Sequence, residues 1–100
     1  MHPTDLTATA AQLPLAWSSL TVSQTETARV KVLRMDGRPV PEERHDDPEA
    51  LLVLDGRLLL TVDGHPVTVG PGELYEVPAR TPHAVRPGSR GTLVIVERRN

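Results

Sequence analysis

Three histidines and several carboxylates between residues 37 and 87 have the types and spacing of a metal site. Glu43 and His45 are two residues apart, so on an extended strand their side chains point to the same face. Glu49 follows a short Asp-Asp-Pro turn, from which a returning strand could bring it alongside them. His83 belongs to a distant strand that only a closed barrel would bring near. Because the chain has no cysteine, a metal must be bound by imidazole, carboxylate or water, which suits Mn, Fe, Ni, Zn or Cu.

The spacing of these residues resembles the first motif of the cupin family. That motif runs from a glycine through five residues to His-x-His, then to a Glu after three or four residues and a Gly after six more. This sequence has Gly37, Glu43, His45, Glu49 and Gly56 at those spacings. One ligand type differs, because Glu43 stands where the first His is usual.

A second stretch resembles the second cupin motif, which has Gly, five residues, Pro, one residue, Gly, two residues, His, three residues and Asn. Here Gly72, Pro78 and His83 match the pattern, whereas Arg80 and Pro87 depart from it. The resemblance covers about residues 28–97. It is specific because two motifs occur together with a suitable gap between them.

The resemblance implies a divalent transition metal bound by His45, Glu49 and His83, with Glu43 as a fourth ligand. Two histidines and one carboxylate resemble the facial arrangement of non-haem iron oxygenases. Simpler interpretations stay open: His45 and His83 could be loop or turn residues, and Glu49 a surface carboxylate. Glu43 could belong to a charged strand edge, or mark a barrel that has lost its metal.

Three functions follow as hypotheses. The first is a metal-dependent enzyme, such as a dioxygenase or an isomerase, that acts on a small molecule. In that case a carboxylate left unligated, Glu43 or Glu49, could serve as a general base. The second is a non-catalytic module that binds a metal or a small-molecule ligand. The third is a stable barrel with a relict site. The fold does not decide among them.

The elements that would position these residues are short strands. Apolar and polar residues alternate over residues 27–35, which predicts a strand with one polar face. Asp55-Gly56 and Asp63-Gly64 separate apolar runs and predict two hairpins. Ten prolines leave no room for a long helix. We therefore predict an all-β double-stranded β-helix, a jelly-roll cupin barrel, over residues 13–100. The further predicted strands are 50–54, 57–62, 65–69, 74–77, 83–85 and 92–97.

The N-terminal region and the composition complete the expectations. Residues 1–12 are polar and rich in Thr and Ala, so we expect a mobile tail there. An extended segment is expected over residues 13–22. Trp17 in that segment is expected to anchor a homodimer interface. A net charge of -2 gives no electrostatic basis for binding nucleic acid or an anionic membrane. No apolar run approaches the roughly 18 residues of a membrane span. Without a secretory signal pattern, we expect a cytoplasmic protein.

Overall fold

A computed structural model describes residues 2–99 as eight strands and one short helix. All strand pairs are antiparallel, and the sheet curls around an apolar interior. This is the all-β architecture that the sequence predicted. In chain order the elements are α1 (Leu6–Ala11), β1 (Leu20–Gln24), β2 (Ala28–Asp36), β3 (Val40–Glu43), β4 (Glu49–Val62), β5 (His65–Val69), β6 (Leu74–Val77), β7 (His83–Val85) and β8 (Arg90–Arg98).

The 14-residue strand β4 organises the sheet. Its first part pairs with β6 and β8, and its second part pairs with β5 and β7. The strand order is β1-β2-β8-β4-β7-β3, with β5 and β6 also paired to β4. Because β4 passes from one set of partners to the other, it joins the two halves of the curled sheet. Glu49, its first residue, is therefore held at one end of the curl.

The Asp55-Gly56 pair lies inside β4, so the hairpin predicted there does not form. The register between β4 and β8 shifts between Val53 and Asp55, which is a bulge rather than a reversal. The side-chain Oδ1 of Asp55 accepts a hydrogen bond of 3.1 Å from the backbone N–H of Thr92. Gly56 has a φ of 77° and supplies the bend. The Asp-Gly pair, which usually forms a hairpin turn, here bends β4 without ending it.

The second pair, Asp63-Gly64, forms the predicted hairpin between β4 and β5. Asp63 and Gly64 both have positive φ, 49° and 80°, as a two-residue type I′ turn requires. Val62 and His65 are directly paired across it.

The apolar core fills the inside of the curl. Its buried members come from strands β2, β4, β5, β6 and β8, and they are Leu33, Met35, Leu51, Val53, Leu58, Leu60, Val62, Val69, Val77, Leu93 and Ile95. A second, smaller cluster lies on the outside of the sheet and consists of Ala10, Val32 and Val94. The two clusters show that strands β2 and β8 are covered on both faces.

Helix α1 lies where the sequence predicted a mobile tail. Asp5 caps it by accepting a hydrogen bond of 3.0 Å from the backbone N–H of Ala8. Ala10 is only 1% exposed because it packs against Val32 and Val94. The polar composition of this segment did not predict a helix, because Ala10 is the one residue of α1 that is buried. Met1 lies outside the described residues. No helix within residues 2–99 combines the length and apolar character that crossing a bilayer requires.

Candidate metal centre

The four predicted ligands lie where three strands and one loop meet at the open end of the curled sheet. Glu43 ends β3, and its direct partner on the neighbouring strand is His83, the first residue of β7. Glu49 begins β4. His45 lies in the loop between β3 and β4, and its carbonyl accepts a hydrogen bond of 2.6 Å from the backbone N–H of Arg80. Strand pairing therefore places Glu43 and His83, and a loop contact holds His45.

Each imidazole lies between the two carboxylates. The Nε2 of His45 is 3.4 Å from Oε1 of Glu43 and 3.9 Å from Oε1 of Glu49. The Nε2 of His83 is 3.9 Å from the same oxygen of Glu43 and 3.3 Å from that of Glu49. The structure thus brings all four residues together. Glu43, His45 and His83 each place one donor atom within 4.8 Å of the others.

Burial divides this cluster into an inner and an outer half. The side chains of His83 and Glu49 are 5% and 13% exposed. Those of His45 and Glu43 are 43% and 53% exposed. The imidazole rings of His45 and His83 are tilted by 57°, with their centroids 5.2 Å apart. The cluster therefore has two fixed inner donors and two outer donors that solvent reaches.

The orientation of His83 supports a metal ligand. Its Nδ1 lies 2.9 Å from the carbonyl oxygen of Thr81 and donates to it, so in the neutral imidazole the lone pair is on Nε2. Within the described residues, this buried Nε2 has no hydrogen-bond partner. A buried polar atom without a partner is destabilising by about 1–3 kcal/mol. A divalent cation held by two imidazoles and carboxylates would satisfy it, so the residues present fit such a metal.

Behind the cluster lies a cavity of about 780 Å³. Its volume is within the range of small-molecule sites, and part of its lining is apolar. The apolar lining residues belong mostly to the core and include Leu33, Leu51, Leu58, Leu60, Leu93 and Ile95. A small molecule in this space would have an apolar surface on one side and the His/Glu cluster on the other.

A charged triad on β2 and β8 also lines the cavity, and the sequence analysis did not assign it to the site. The Nε and one terminal nitrogen of Arg29 donate to Oε2 of Glu97 at 2.8 and 2.6 Å. The Nζ of Lys31 is 3.1 Å from Oε1 of Glu97. The alternation in β2 did indicate a polar face. The structure turns that face toward the cavity, whereas Val32 on the other face packs against Ala10 of α1.

The pKa of Glu97 is held below its usual value of 4.5. Burial by itself would raise this pKa, but the hydrogen bonds and charges of Arg29 and Lys31 outweigh burial. A lowered carboxyl pKa stabilises the fold above pH 4.5, and that contribution is lost as the pH falls through the lowered pKa.

We therefore expect the Glu97→Gln variant to be less stable than the parent at pH 7. The difference between the two proteins should shrink as the pH falls below 4.5, because the parent carboxylate becomes protonated. Urea unfolding of both proteins between pH 7 and pH 3 measures this. A difference that stays constant over that range would contradict a charge-based role for Glu97.

Trp17 forms part of the cavity wall and packs against the inner core. Its expected position at a homodimer interface stays a prediction. Its indole N–H donates a hydrogen bond of 2.8 Å to Oδ1 of Asp36. The pKa of Asp36 is lowered by the backbone N–H of Arg38 and then by this indole. As the chain's one tryptophan, Trp17 gives a fluorescence signal from the cavity itself.

Comparison with known proteins identifies the family. The cupin domain profile matches residues 32–97, about two thirds of the chain. The chain belongs to the cupin family. The resemblance inferred from the two motifs is therefore confirmed, and the site described above lies at the position of those motifs. In this cupin the first motif carries Glu43 in place of the usual first histidine.

Individual cupins resemble this one to different extents. Over 60 residues it is 40% identical to quercetin 2,3-dioxygenase of Bacillus subtilis (strain 168), and the match covers 59% of this chain. The matched part amounts to 18% of that relative's length. A cupin-2 domain protein from Shewanella frigidimarina superimposes with a TM-score of 0.86 at 20% identity, covering 96% of this chain and 94% of that one. DMSP lyase DddQ from Ruegeria pomeroyi gives a TM-score of 0.67 at 26% identity, covering 76% and 40% of the two chains.

Proposed function

We propose that this cupin is a metal-dependent enzyme that acts on a small molecule, as a dioxygenase or an isomerase. The observation that carries the proposal is the buried Nε2 of His83. It has no partner in the described chain, and it lies 3.3 Å from Glu49 and 3.9 Å from Glu43. A ligand cluster at the mouth of a cavity large enough for a small molecule is the arrangement that metal-assisted catalysis needs.

The residues have distinct roles in this proposal. His45, Glu49 and His83 would hold the metal, and Glu43 completes the set. A bound divalent metal would act as a Lewis acid toward an oxygen atom of the substrate. The carbonyl of Thr81 fixes the ring of His83 through Nδ1. If the metal leaves Glu43 unligated, this carboxylate, the most exposed of the four residues, is the one best placed to exchange a proton with substrate or solvent.

The named relatives support this proposal without defining the reaction. The 60 residues that match quercetin 2,3-dioxygenase favour oxygenase chemistry. The match spans less than a fifth of that enzyme, so it does not define the reaction. The likeness to a DMSP lyase shows that a related barrel serves a different reaction. We therefore propose the class of site, a metal-dependent small-molecule centre, ahead of any particular substrate.

The exposure of the outer half favours a second candidate, a binding module that holds a metal or a small ligand without catalysis. Glu43 and His45 are about half exposed. Reactions that depend on excluding water need a more enclosed centre than this, unless the substrate itself covers it. The homodimer and the cytoplasmic location expected from the sequence stay predictions.

Metal content separates these candidates. The chain is purified without a histidine tag, reconstituted in turn with Mn, Fe, Ni, Zn and Cu, and analysed by mass spectrometry for bound metal. About one equivalent of metal, together with turnover in a screen of small-molecule substrates, supports the enzyme. One equivalent without turnover supports the binding module. Protein that retains none of the five metals would exclude the enzyme and the metal-binding form of the module. It would leave a barrel with a relict metal site, or a module that binds a small ligand alone.

The Glu43→His variant is expected to bind Ni and Zn more tightly than the parent, by about tenfold. The substitution replaces a half-exposed carboxylate with an imidazole, which these metals favour, at a position already 3.4 Å from His45. Isothermal titration with each metal measures the change. Glu42→His is the matched control, because Glu42 is the neighbouring exposed residue on β3 and, unlike Glu43, does not line the cavity.

An unchanged affinity in Glu43→His would place residue 43 outside the metal's ligand set. An equal gain in Glu42→His would show that any added histidine near β3 captures the metal.

A further inference from the structure

The charged triad and the metal cluster share one wall of the cavity. Arg29 on β2 is directly opposite Glu97 on β8, and Glu97 is directly opposite Glu49 on β4. Residues directly opposite each other on neighbouring strands point to the same face of a sheet. Arg29 is thus two strand spacings, roughly 10 Å between backbones, from the ligand Glu49. Both groups therefore face the same cavity.

The triad has more positive charge than its own carboxylate can neutralise. Glu97 is the acceptor for both Arg29 and Lys31, which leaves one excess positive charge. Arg29 uses its Nε and one terminal nitrogen in these contacts, so donors remain on its other terminal nitrogen. Lys31 likewise has N–H groups beyond the one that meets Glu97. The side chains are 30% and 19% exposed, and both line the cavity.

The remaining charges around the cavity do not cancel this excess once a metal is present. At the exposed rim, two arginines and two aspartates balance each other: Arg44, Arg98, Asp46 and Asp47. The His/Glu cluster and the triad together carry three carboxylates and two cations, since Glu43 and Glu49 add to Glu97. A bound divalent cation would change the charge of these two groups from one net negative to one net positive.

We infer that Arg29 and Lys31 form a carboxylate-binding subsite, and that the molecule bound at the metal centre is a small organic acid. Its carboxylate meets the spare donors of the triad while another oxygen atom of the molecule reaches the His/Glu cluster. The inference rests on the proposed function, because it assigns the substrate class of the same cavity. Lys31 and Arg29 are specificity-determining residues in this arrangement, and Glu97 limits the strength of binding by competing for them.

Lys31 is the chain's single lysine, which makes a site-specific measurement possible. Reductive methylation with ¹³C-labelled formaldehyde labels this side chain and the N-terminal amine, and lysine methylation keeps the positive charge. The zinc-loaded and metal-free proteins are each titrated with glutarate, and with glutaramide as its uncharged counterpart. We expect glutarate to shift the Lys31 methyl resonance in a saturable way, and glutaramide to leave it unchanged.

Variants then assign the effect to the triad. Titration calorimetry of the zinc-loaded proteins should show that Lys31→Met weakens glutarate binding by about tenfold, the expected cost of losing a charged hydrogen bond. Lys31→Arg should restore it. Glu97→Gln should bind glutarate more tightly, because both cations lose their competing partner. Arg38→Met is the control, since the Arg38 side chain is 85% exposed and outside this cavity.

The outcomes separate this inference from the metal proposal. If Lys31→Met binds zinc and glutarate as the parent does, the subsite is disproved and the metal centre stands. If the parent binds no metal but the Lys31 resonance still responds to glutarate and not to glutaramide, the subsite stands and the metal proposal fails. Weaker glutarate binding in Glu97→Gln would also overturn the inference, because it would make the triad a structural unit only.

Discussion

His83→Ala is expected to remove metal binding from this cupin while leaving its fold intact. His83 is the most buried of the four ligands, and its ring is already fixed by the carbonyl of Thr81. The loss of a directly coordinating imidazole should lower affinity by more than about 100-fold, since even supporting residues around a metal change it by 10–100-fold. Titration calorimetry with zinc measures the affinity, and circular dichroism checks that the strands persist.

The control is His65→Ala, which removes the exposed histidine of the β4–β5 hairpin. It should bind zinc as the parent does. His83→Gln provides a second variant of similar length, in case the alanine leaves too large a void in the barrel. A parent-like stoichiometry in both His83 variants would mean that any bound metal lies elsewhere on the chain.

Gly56→Ala is expected to lower the free energy of unfolding by about 3 kcal/mol or more. A Cβ atom at this position would lie 1.8 Å from the carbonyl oxygen of Arg90 and 2.6 Å from its carbon. That overlap is with backbone, so relief requires the paired strands β4 and β8 to separate locally. The φ of 77° adds the strain of a left-handed conformation. Urea unfolding of both proteins measures the loss.

Gly64→Ala is the matched control for backbone conformation. Gly64 has a nearly identical φ of 80°, but a Cβ there would have no described atom within 4 Å. It should lose only about 1–2 kcal/mol, the cost of the left-handed conformation itself. Similar losses in the two variants would show that conformation, and not the close approach of β8, requires glycine at residue 56.

The grouping of the His and Glu residues at the candidate metal centre could be predicted from the sequence because their spacing matches the two cupin motifs. The spacing of two residues predicted that His45 lies near Glu43, which it does, although His45 is in the loop after β3. The strand pairing of Glu43 with His83 supplies the distant member. The Arg29–Lys31–Glu97 triad could not be predicted in this way. Alternation shows that Arg29 and Lys31 lie on one face of β2, but it does not show which face is inside. Helix α1 decides this, because it covers the opposite face.

The two Asp-Gly dipeptides of the chain adopt different structures. Asp63-Gly64 reverses the chain, whereas Asp55-Gly56 only bends it. The local preference for positive φ at glycine is the same in both. The difference comes from tertiary pairing, because β8 pairs with β4 on both sides of Gly56 and holds the strand in one direction. Such long-range pairing is not visible in a short window of sequence.

Because β4 pairs with four other strands, the parts of this protein should unfold locally in a definite order. Backbone amides bonded on both sides of β4 should exchange with solvent deuterium only when the whole barrel unfolds. Strand β3 lies at the end of the strand order and pairs only with β7, so its amides should exchange earlier. We therefore expect Glu49 to lie on the strand that opens last and Glu43 on one of the strands that open first. Fluctuations of β3 would expose the centre long before the barrel itself is lost.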